Sequence, residues 1–403
     1  MTNYNQTTLW DTALEDLQIP QTETLTLVPQ AGKLSPFLKW AGGKQQELKY
    51  ILPSIPAFDS YFEPFVGGGA VFFSITANRR YINDKSPELF NLYMMVAKNN
   101  EGFFRALNIL LNAWQHISLL VDNEAEYLIR MYKAYSWNEC SSDEIAKNLL
   151  AFIDLHAKEF NNMFDMFLSN TAENFIRELQ RNLLSKTKRM KVLEGKKWRL
   201  PEDDIMANIE SALKSAFYMH LRHLYNKINM YKIPSSCASA IFFFVRENAY
   251  ASMFRYNSRG EFNVPYGGIS YNRKDLVRKV DYMRSAALQS YLNDTAIENM
   301  DFEDFLLKYS PQTDDFIFLD PPYDSEFSTY AQNEFTMKDQ ERLARFLLER
   351  CKAKFMLVIK NTPAILQLYN QTDLNIRTFD KRYLVSFQDR NDKEAEHLII
   401  TNY

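Results

Sequence analysis

The sequence predicts an α/β fold whose alternation of strands and helices is interrupted by a long helical region. Short apolar runs, such as Asp315–Leu319 and Phe355–Ile359, have the unbroken hydrophobicity of strands buried on both faces of a parallel sheet. Helical patterns alternate with such runs towards both ends of the chain, whereas from about residue 99 to 235 only helical periodicity is present. We therefore expect two separate parts of the sequence to contribute strands.

Composition and charge exclude several classes of protein. The 403 residues suffice for two or three structural units, and the hydrophobic share of 46% is ordinary for globular proteins. Because the net charge is −3, nucleic-acid contact must come from local clusters of cations. Cys140, Cys237 and Cys351 lie far apart, which argues against a zinc site or a disulfide framework. Without a signal sequence or an apolar run of ~18 residues, the sequence predicts a cytoplasmic protein without membrane contact.

The strand at Asp315–Leu319 ends in the tetrapeptide Asp320, Pro321, Pro322 and Tyr323. Proline has no N–H for the strand ladder, so the chain must leave the sheet here, at the carboxyl end of a strand, where open α/β sheets bind ligands. A carboxylate, rigid carbonyl groups and an aromatic face suit a planar base that carries an exocyclic amine. Taken alone, the tetrapeptide is equally compatible with an ordinary turn.

Residues 1–34 form a polar extension that carries little information. The first patterned segment leads through Gly42 and Gly43 to Lys44 and a helical pattern at Gln45–Ile51. A loop of this type can hold an anionic group at a helix N-terminus. A glycine-rich turn with a solvated lysine is the alternative explanation.

A second glycine-containing segment favours a nucleoside-type cofactor. A short strand leads into Gly67–Gly69 and then into an apolar helix start at Val71–Phe73. Glycines allow the backbone to approach a ligand closely. A further strand ends at Asp84, at about the 20-residue offset usual for carboxylates that bind ribose hydroxyls. Asp84 is equally suited to cap the helix that starts near Ser86, and the two roles are compatible.

The helical region contains cations that are candidates for phosphate contact. Ser141–Glu144 has the spacing of a capping box and precedes an apolar helical stripe. Between two later helical stretches, the segment 186–199 places cations around Trp198, which suits phosphates but equally suits a solvated linker. These cations include Lys188, Arg189 and Lys197. His220 and His223 lack a carboxylate or cysteine partner in the sequence, so we expect them to pack rather than to bind a metal.

Residues 241–268 are rich in aromatic side chains and contain the tight-turn sequence Asn257–Gly260, which predicts a β-hairpin. Arginine and asparagine side chains read guanine and adenine edges in the major groove, which β-ribbons can enter. The candidates here are Arg255, Asn257, Arg259 and Asn263. In isolation, the segment is better explained as a surface hairpin.

The last part of the chain returns to alternating strands and helices. A strand near Ala296–Met300 leads to Asp301, which would either meet a base or ribose edge or cap the following helix. We expect a helix at about Lys338–Cys351 and a final strand at Glu396–Tyr403.

In this order, the segments resemble the Dam-type, D12 class family of DNA N6-adenine methyltransferases. The glycine-rich segment comes first, the recognition region second and the catalytic tetrapeptide third, over roughly residues 35–98 and 240–403. The matching motifs are Lys39–Lys44, Glu63–Gly69, Asn83-Asp84, Arg255–Gly267, Asp320–Tyr323 and Leu398–Tyr403.

The resemblance implies a Rossmann-like, S-adenosylmethionine-dependent methyltransferase sheet with an inserted DNA-recognition domain that combines helices and a β-hairpin. The implied units are an N-terminal extension (1–34), a first catalytic part (35–98), a recognition domain (99–285) and a second catalytic part (286–403). Within the recognition domain, a helical insert covers about 115–235 and the hairpin about 241–268.

The resemblance also implies methyl transfer from S-adenosyl-L-methionine, which leaves S-adenosyl-L-homocysteine, to N6 of a flipped-out adenine in double-stranded DNA, without a metal. The implied catalytic residues are Asp320, Pro321, Pro322 and Tyr323. The implied cofactor-binding residues are Trp40, Lys44, Glu63, Phe65, Gly67, Gly69, Asp84, Asp301 and Asp320. The family default is a monomer, and the expected setting is a restriction–modification system with a separate endonuclease, or a phage or mobile element.

Two features depart from the smaller family members. The helical insert has no counterpart in them, so no relative supplies the target sequence, and Lys360-Asn361 stands where a Ser-Asn pair is more usual. We hypothesise that the insert enlarges the DNA footprint through the cations of segment 186–199. Rival interpretations are methylation of an RNA adenine or a glutamine side chain, and a DNA-binding regulator without catalysis. A major-groove hairpin favours duplex DNA over RNA, and the intact tetrapeptide and glycine loop argue against lost catalysis.

Overall fold

The computed structural model of the protein describes residues 34–40, 42–163, 172–196, 198–253, 255–322, 335–371, 373–382 and 394–403. Within these ranges, the strands form a seven-stranded sheet in the order β3-β2-β1-β4-β5-β7-β6. The strands are β1 (Ser60–Glu63), β2 (Arg79–Asn83), β3 (Thr295–Glu298), β4 (Phe316–Leu319), β5 (Lys354–Lys360), β6 (Asn375–Arg382) and β7 (Glu394–Thr401). Strands β1 to β5 pair in parallel, and β7 is antiparallel to both of its neighbours. The α/β fold expected from the sequence is confirmed and is that of a Rossmann-like sheet.

Helices cover both faces of this sheet. In the described part of the chain they are α1 (Leu48–Ile51), α2 (Pro87–Ala97), α3 (Glu101–Asn123), α4 (Ala125–Ser136), α5 (Ser142–Leu155), α6 (Ala157–Asn162), α7 (Ala172–Lys196), α8 (Glu202–Asn226), α9 (Ser235–Asn248), α10 (Val277–Met283), α11 (Ala286–Asn293), α12 (Phe302–Tyr309), α13 (Met337–Glu349) and α14 (Pro363–Tyr369). Helices α12, α13 and α14 bury one face, and α2 and α11 lie on the other. None of these helices is both long enough and apolar enough to cross a membrane.

The apolar sequence of strand β4 matches its place in the middle of the sheet, with helices on both faces. Its side chains alternate between the faces, so Phe316 and Phe318 join the core on the α2 side, whereas Ile317 and Leu319 join the core under α12 and α13. All four are buried, with at most 1% of each residue exposed. A strand with both faces covered must be apolar throughout, which is the pattern that the sequence shows.

The helical region between β2 and β3 extends the core on the α2 side of the sheet. Asn100 caps α3 by accepting a hydrogen bond from the Phe103 amide at 2.9 Å, and the buried stripe of α3 packs against α8 and α9. The expected capping box at Ser141 and Glu144 is present at the start of α5. One continuous apolar cluster therefore joins the helices to the sheet.

The linker interpretation of segment 186–199 is wrong for most of its length. Residues 186–196 belong to α7, which places Thr187 and Met190 in the core and packs along α8. Lys188 is exposed on this helix, and the Lys191 ammonium donates to the Tyr135 carbonyl at 2.6 Å. Lys197 lies outside the described residues.

The predicted hairpin is shorter than 241–268. Residues 241–248 belong to α9 instead. The prediction failed here because a short apolar run does not by itself distinguish a buried helix from a buried strand. Among the described residues of this segment, Ala249 forms an antiparallel bridge with Tyr266, and Tyr256 forms one with Phe262, on either side of the turn.

Two further expectations about local structure are wrong. The helix start after the glycines is only a 3₁₀ turn, Phe72–Ser74, so β1 and β2 are joined without an α-helix. The helix expected at Gln45–Ile51 begins at Leu48 and is preceded by turns. The division into domains stays a prediction.

Candidate active site

The parallel strands bring the candidate residues to one edge of the sheet. Register pairs Glu63 with Ile82 and Asn83 with Glu298, so the carboxyl ends of β1, β2 and β3 lie side by side. The glycine loop follows β1, Asp84 follows β2, and Asp320 follows β4, the neighbour of β1. Ligands of open α/β sheets bind at this edge.

Asp320 forms an ion pair with Lys44. The Lys44 ammonium lies 2.5 Å from Asp320 Oδ2 and also donates to the Gly42 carbonyl at 3.0 Å. The Lys44 side chain is 3% exposed and that of Asp320 is 18% exposed. The solvated-lysine alternative is therefore wrong: the first glycine segment ends in a buried cation that holds the carboxylate of the tetrapeptide.

The glycine loop after β1 is closed by Trp40. Gly67 has φ +50°, and a Cβ atom there would lie 2.9 Å from Trp40 Cδ1, closer than real contacts allow. The buried guanidinium of Arg246, on α9, lies 5.1 Å from the Trp40 ring centre and donates to the Lys39 carbonyl at 3.3 Å. Arg246, to which the sequence analysis assigns no role, connects the helical region to the loop. Burial lowers its pKa to about 10.

This crowding predicts that Gly67→Ala lowers the free energy of unfolding by about 1–3 kcal/mol, because alanine at positive φ is strained and its methyl group would displace Trp40. The matched control is Gly195→Ala within α7, where a Cβ atom meets no atom within 4 Å. That change should be neutral or stabilising by up to about 1 kcal/mol. Urea denaturation checks both, and equal midpoints for the two variants would refute the assigned packing.

Asp84 binds the glycine loop directly. Its carboxylate accepts hydrogen bonds from the Gly67 amide at 3.0 Å and the Ser86 amide at 2.9 Å. Burial raises the pKa of Asp84 to about 6, although the two N–H donors act in the opposite direction. The capping alternative for Asp84 is wrong, because the N-cap of α2 is Ser86, whose hydroxyl accepts from the Leu89 amide.

Asn83 ties three strand ends together. Its buried amide nitrogen donates to the Pro64 and Met300 carbonyls at 3.0 and 3.1 Å, and its oxygen accepts from the Met300 amide at 3.0 Å. The polypeptide after β1, β2 and β3 is therefore fixed by one side chain. The sequence motif Asn83-Asp84 does not by itself indicate that Asn83 connects the strand ends.

Glu63 contributes a second buried carboxyl group next to Asp320. It is 2% exposed and accepts a hydrogen bond from the Tyr61 hydroxyl at 2.7 Å. Burial raises the pKa of Glu63 well above its usual range, and the charge of Asp320 adds to this effect. Lys44 acts in the opposite direction.

Asp301 caps α12, which confirms the capping role that was one of the two expected for it. Its carboxylate accepts from the Glu303 amide at 3.0 Å and pairs with Arg342 at 2.7 Å. The ring of Phe65 packs on those of Phe302 and Phe335, with centroids 5.5 Å apart in each case. A cofactor role for Asp301 stays a prediction.

The tetrapeptide is held from α13. Pro321 is buried, and the Gln340 side-chain amide donates to the Pro322 carbonyl at 3.0 Å. Gln340 was missed, although a signal exists: it occupies the apolar stripe that continues at Leu343, Ala344 and Leu347. Tyr323 lies outside the described residues, so its stacking role stays a prediction.

The recognition turn is internally bonded. Asn257 Oδ1 accepts from the Arg259 and Glu261 amides at 2.9 and 3.0 Å, so this side chain shapes the turn. Arg255 donates to Asn263 Oδ1 at 3.0 Å, which places these two candidates next to each other. Arg259 is exposed at the tip.

Histidines and acids do not build a metal centre in the described ranges, where no group of three or more His, Cys, Asp or Glu side chains could hold an ion. His220 is buried and lies within 3.0 Å of the Asn174 amide nitrogen. Burial lowers the pKa of His220 to about 3, and its ring lies 5.6 Å from that of Phe175, centroid to centroid.

The family model of the D12 class N6 adenine-specific DNA methyltransferases matches residues 40–213 and 199–383. The chain belongs to this family. It is 25% identical over 381 residues to the Type II methyltransferase M1.LlaDCHI of Lactococcus lactis subsp. cremoris, covering 92% of this chain and 96% of that protein. It is 26% identical to the Type II methyltransferase M.MjaIII of Methanocaldococcus jannaschii, covering 92% and 100%, and 22% identical to the DNA adenine methylase of Vibrio cholerae, covering 84% and 86%. The protein is a DNA methyltransferase.

Proposed function

We propose that the protein transfers a methyl group from S-adenosyl-L-methionine to N6 of an adenine within one short sequence of double-stranded DNA. The observation that carries this proposal is Asp320, ion-paired with buried Lys44, at the sheet edge that also presents the glycine loop and Asp84. The names of the Type II relatives support a restriction–modification setting with a separate endonuclease. We infer a monomer acting alone.

The residues at this edge fit the cofactor. Gly67 and Gly69, both at positive φ, turn the chain tightly at the end of β1 and let Trp40 pack on the loop, and Asp84 offers a carboxylate to ribose hydroxyls. The residues that would hold the cofactor are Trp40, Lys44, Glu63, Phe65, Gly67, Gly69, Asp84, Asp301 and Asp320. When bound, S-adenosyl-L-methionine supplies an activated methyl group on its sulfonium.

The chain's own residues orient the target amine. Asp320 and the Pro321 carbonyl accept the two N6 hydrogens, which points the nitrogen lone pair away from them. Asp320 also stabilises the positive charge that develops on N6, and it need not be a strong base. Stacking on Tyr323 offsets part of the few kcal/mol that flipping the base costs. Placement of the two reactants is the main catalytic task.

A role for Asp84 in ribose binding predicts pH-dependent cofactor affinity. Hydroxyl donors prefer the carboxylate to the neutral acid, so affinity should rise as pH increases through about 6 and then level off, because the pKa of Asp84 is about 6. Asp84→Asn should lower the affinity about 10- to 100-fold and remove this step. Calorimetric titration across pH measures both. If the step near pH 6 persisted in Asp84→Asn, another group would be responsible.

DNA contact by α7 predicts a change in salt dependence. Replacing Lys188 and Arg189 by glutamine should weaken DNA binding and reduce the slope of log affinity against log salt by up to about 2, since each lost phosphate contact removes about 0.9. Filter binding over a salt series measures the slope. An unchanged affinity and slope would show that this face of the insert does not touch phosphates.

The proposal is tested by methyl transfer to three acceptors in parallel. Labelled S-adenosyl-L-methionine is incubated with duplex DNA, with RNA of the same sequence and with protein, and nucleosides from the products are analysed. The expected result is label in N6-methyladenine from duplex DNA only. Label in RNA or protein would support the rival substrates, and cofactor binding without transfer to any acceptor would support a regulator.

A further inference from the structure

Gln340 is a buried side chain of α13 that contacts the catalytic tetrapeptide. None of its surface is exposed, and its amide nitrogen donates to the Pro322 carbonyl at 3.0 Å. The prolines restrict the backbone of the tetrapeptide, and a hydrogen bond to one of its carbonyl groups restricts it further. Gln340 supplies one such partner from the helix that covers this end of the sheet.

The helix that carries Gln340 is anchored at its first turn. Thr336 and Asp339 form a reciprocal capping box at the start of α13. Arg342, one turn on, pairs with Asp339 at 2.9 Å and with Asp301, beyond β3, at 2.7 Å. The amide of Gln340 therefore projects from a support that is tied to a neighbouring strand end.

Gln340 is buried with one of its two polar side-chain atoms hydrogen-bonded to the described residues. Its Oε1 atom is buried, and no donor in the described part of the chain reaches it. A buried acceptor without a partner costs free energy, and an apolar side chain of similar volume would avoid that cost. Its neighbours on the stripe, Leu343 and Leu347, are apolar. An unfavourable polar group at this position indicates a role in the site.

We propose that Gln340 is a positioning residue for methyl transfer. By holding the Pro322 carbonyl, it fixes the backbone orientation of the Pro321-Pro322 pair, and with it the direction of the Pro321 carbonyl and the placement of Asp320 against Lys44. It does not touch the substrate or the cofactor. This inference rests on the proposed function, because it assigns the tetrapeptide the task of orienting the target amine.

The decisive variant is Gln340→Met, which keeps the volume and removes the donor. We expect the single-turnover rate of methyl transfer to fall about 10- to 100-fold, since small misplacements of reacting groups are costly. We expect the melting temperature to stay within a few degrees of wild type. The dissociation constant for S-adenosyl-L-methionine should stay within about twofold of wild type. The matched control is Glu341→Met, the next residue of α13, which is exposed and should change none of the three quantities.

Gln340→Glu adds a pH-dependent readout of this hydrogen bond, with the melting temperature measured at each pH so that a loss of rate is separated from a loss of folded protein. A protonated glutamic acid can donate to the Pro322 carbonyl, whereas the carboxylate cannot and repels it. The rate of Gln340→Glu relative to wild type should therefore fall as pH rises from mildly acidic to mildly alkaline. The ratio for Glu341→Gln should not depend on pH.

Each outcome decides the inference. A wild-type rate in Gln340→Met, or a flat pH ratio in Gln340→Glu, would overturn it while leaving the proposed function intact. A lower melting temperature that fully accounts for the lost rate would reduce Gln340 to a stabilising residue and would also overturn it. A wild-type enzyme that binds the cofactor but methylates no DNA adenine would instead refute the proposed function.

Discussion

Replacing Asp320 by alanine should reduce the rate of methyl transfer to adenine by at least about 10³-fold. The variant loses the negative charge that stabilises the developing cation, and removing one preorganised electrostatic partner typically costs about 10²- to 10³-fold. It also loses an acceptor for an N6 hydrogen, which adds to this loss. Single-turnover kinetics with a saturating cofactor concentration measure the effect. The residual rate should not recover at higher DNA concentration, since the loss concerns the transition state.

Asp320→Asn provides the control for shape. It keeps the size of the side chain and one acceptor oxygen but not the charge, so its rate should lie between those of wild type and Asp320→Ala. A rate equal to wild type in Asp320→Asn would mean that the charge of Asp320 contributes nothing to the reaction.

Replacing Lys44 by methionine should have the second largest effect. Lys44 is almost fully buried and its ammonium holds Asp320 Oδ2 at 2.5 Å, so the carboxylate loses its cation and its fixed orientation. Breaking such a pair costs about 3–5 kcal/mol when the partner stays buried, and less here because Asp320 is 18% exposed. We expect a midpoint shift in denaturant together with an about 10²-fold lower rate.

Combining Asp320→Ala with Lys44→Met separates stability from catalysis. Each single variant leaves one member of the pair without this partner, whereas the double variant removes both charges together. The double variant should therefore be more stable than the sum of the single losses predicts, while its rate stays at the level of Asp320→Ala. Additive losses of stability would show that the ion pair is not coupled as the structure places it.

The features that could be predicted from the sequence are the buried strands and the residues that follow their carboxyl ends. The apolar run before Asp320 favours a buried strand, and two prolines fix where it stops. The glycines and Asp84 follow their strands in the same way. Because parallel strands end at one edge, the sequence could predict that these residues meet.

The residues that were missed act through contacts between distant parts of the chain. Arg246 reaches the Trp40 loop from a helix about 200 residues away in sequence, and Gln340 reaches the tetrapeptide across a segment outside the described residues. Propensity also failed at 241–248, where an aromatic run that reads as a strand is a buried helix because tertiary packing decides between the two. For Gln340, a polar residue in an apolar helical stripe was an available signal.

The most direct test of the central claim is methylation-aware sequencing of DNA from cells that express this protein, beside cells that express Asp320→Ala. The account predicts N6-methyladenine at every copy of one short sequence motif with the wild-type protein, and none at that motif with the variant. Unmodified adenine throughout, in cells where the wild-type protein is folded and binds S-adenosyl-L-methionine, would contradict it.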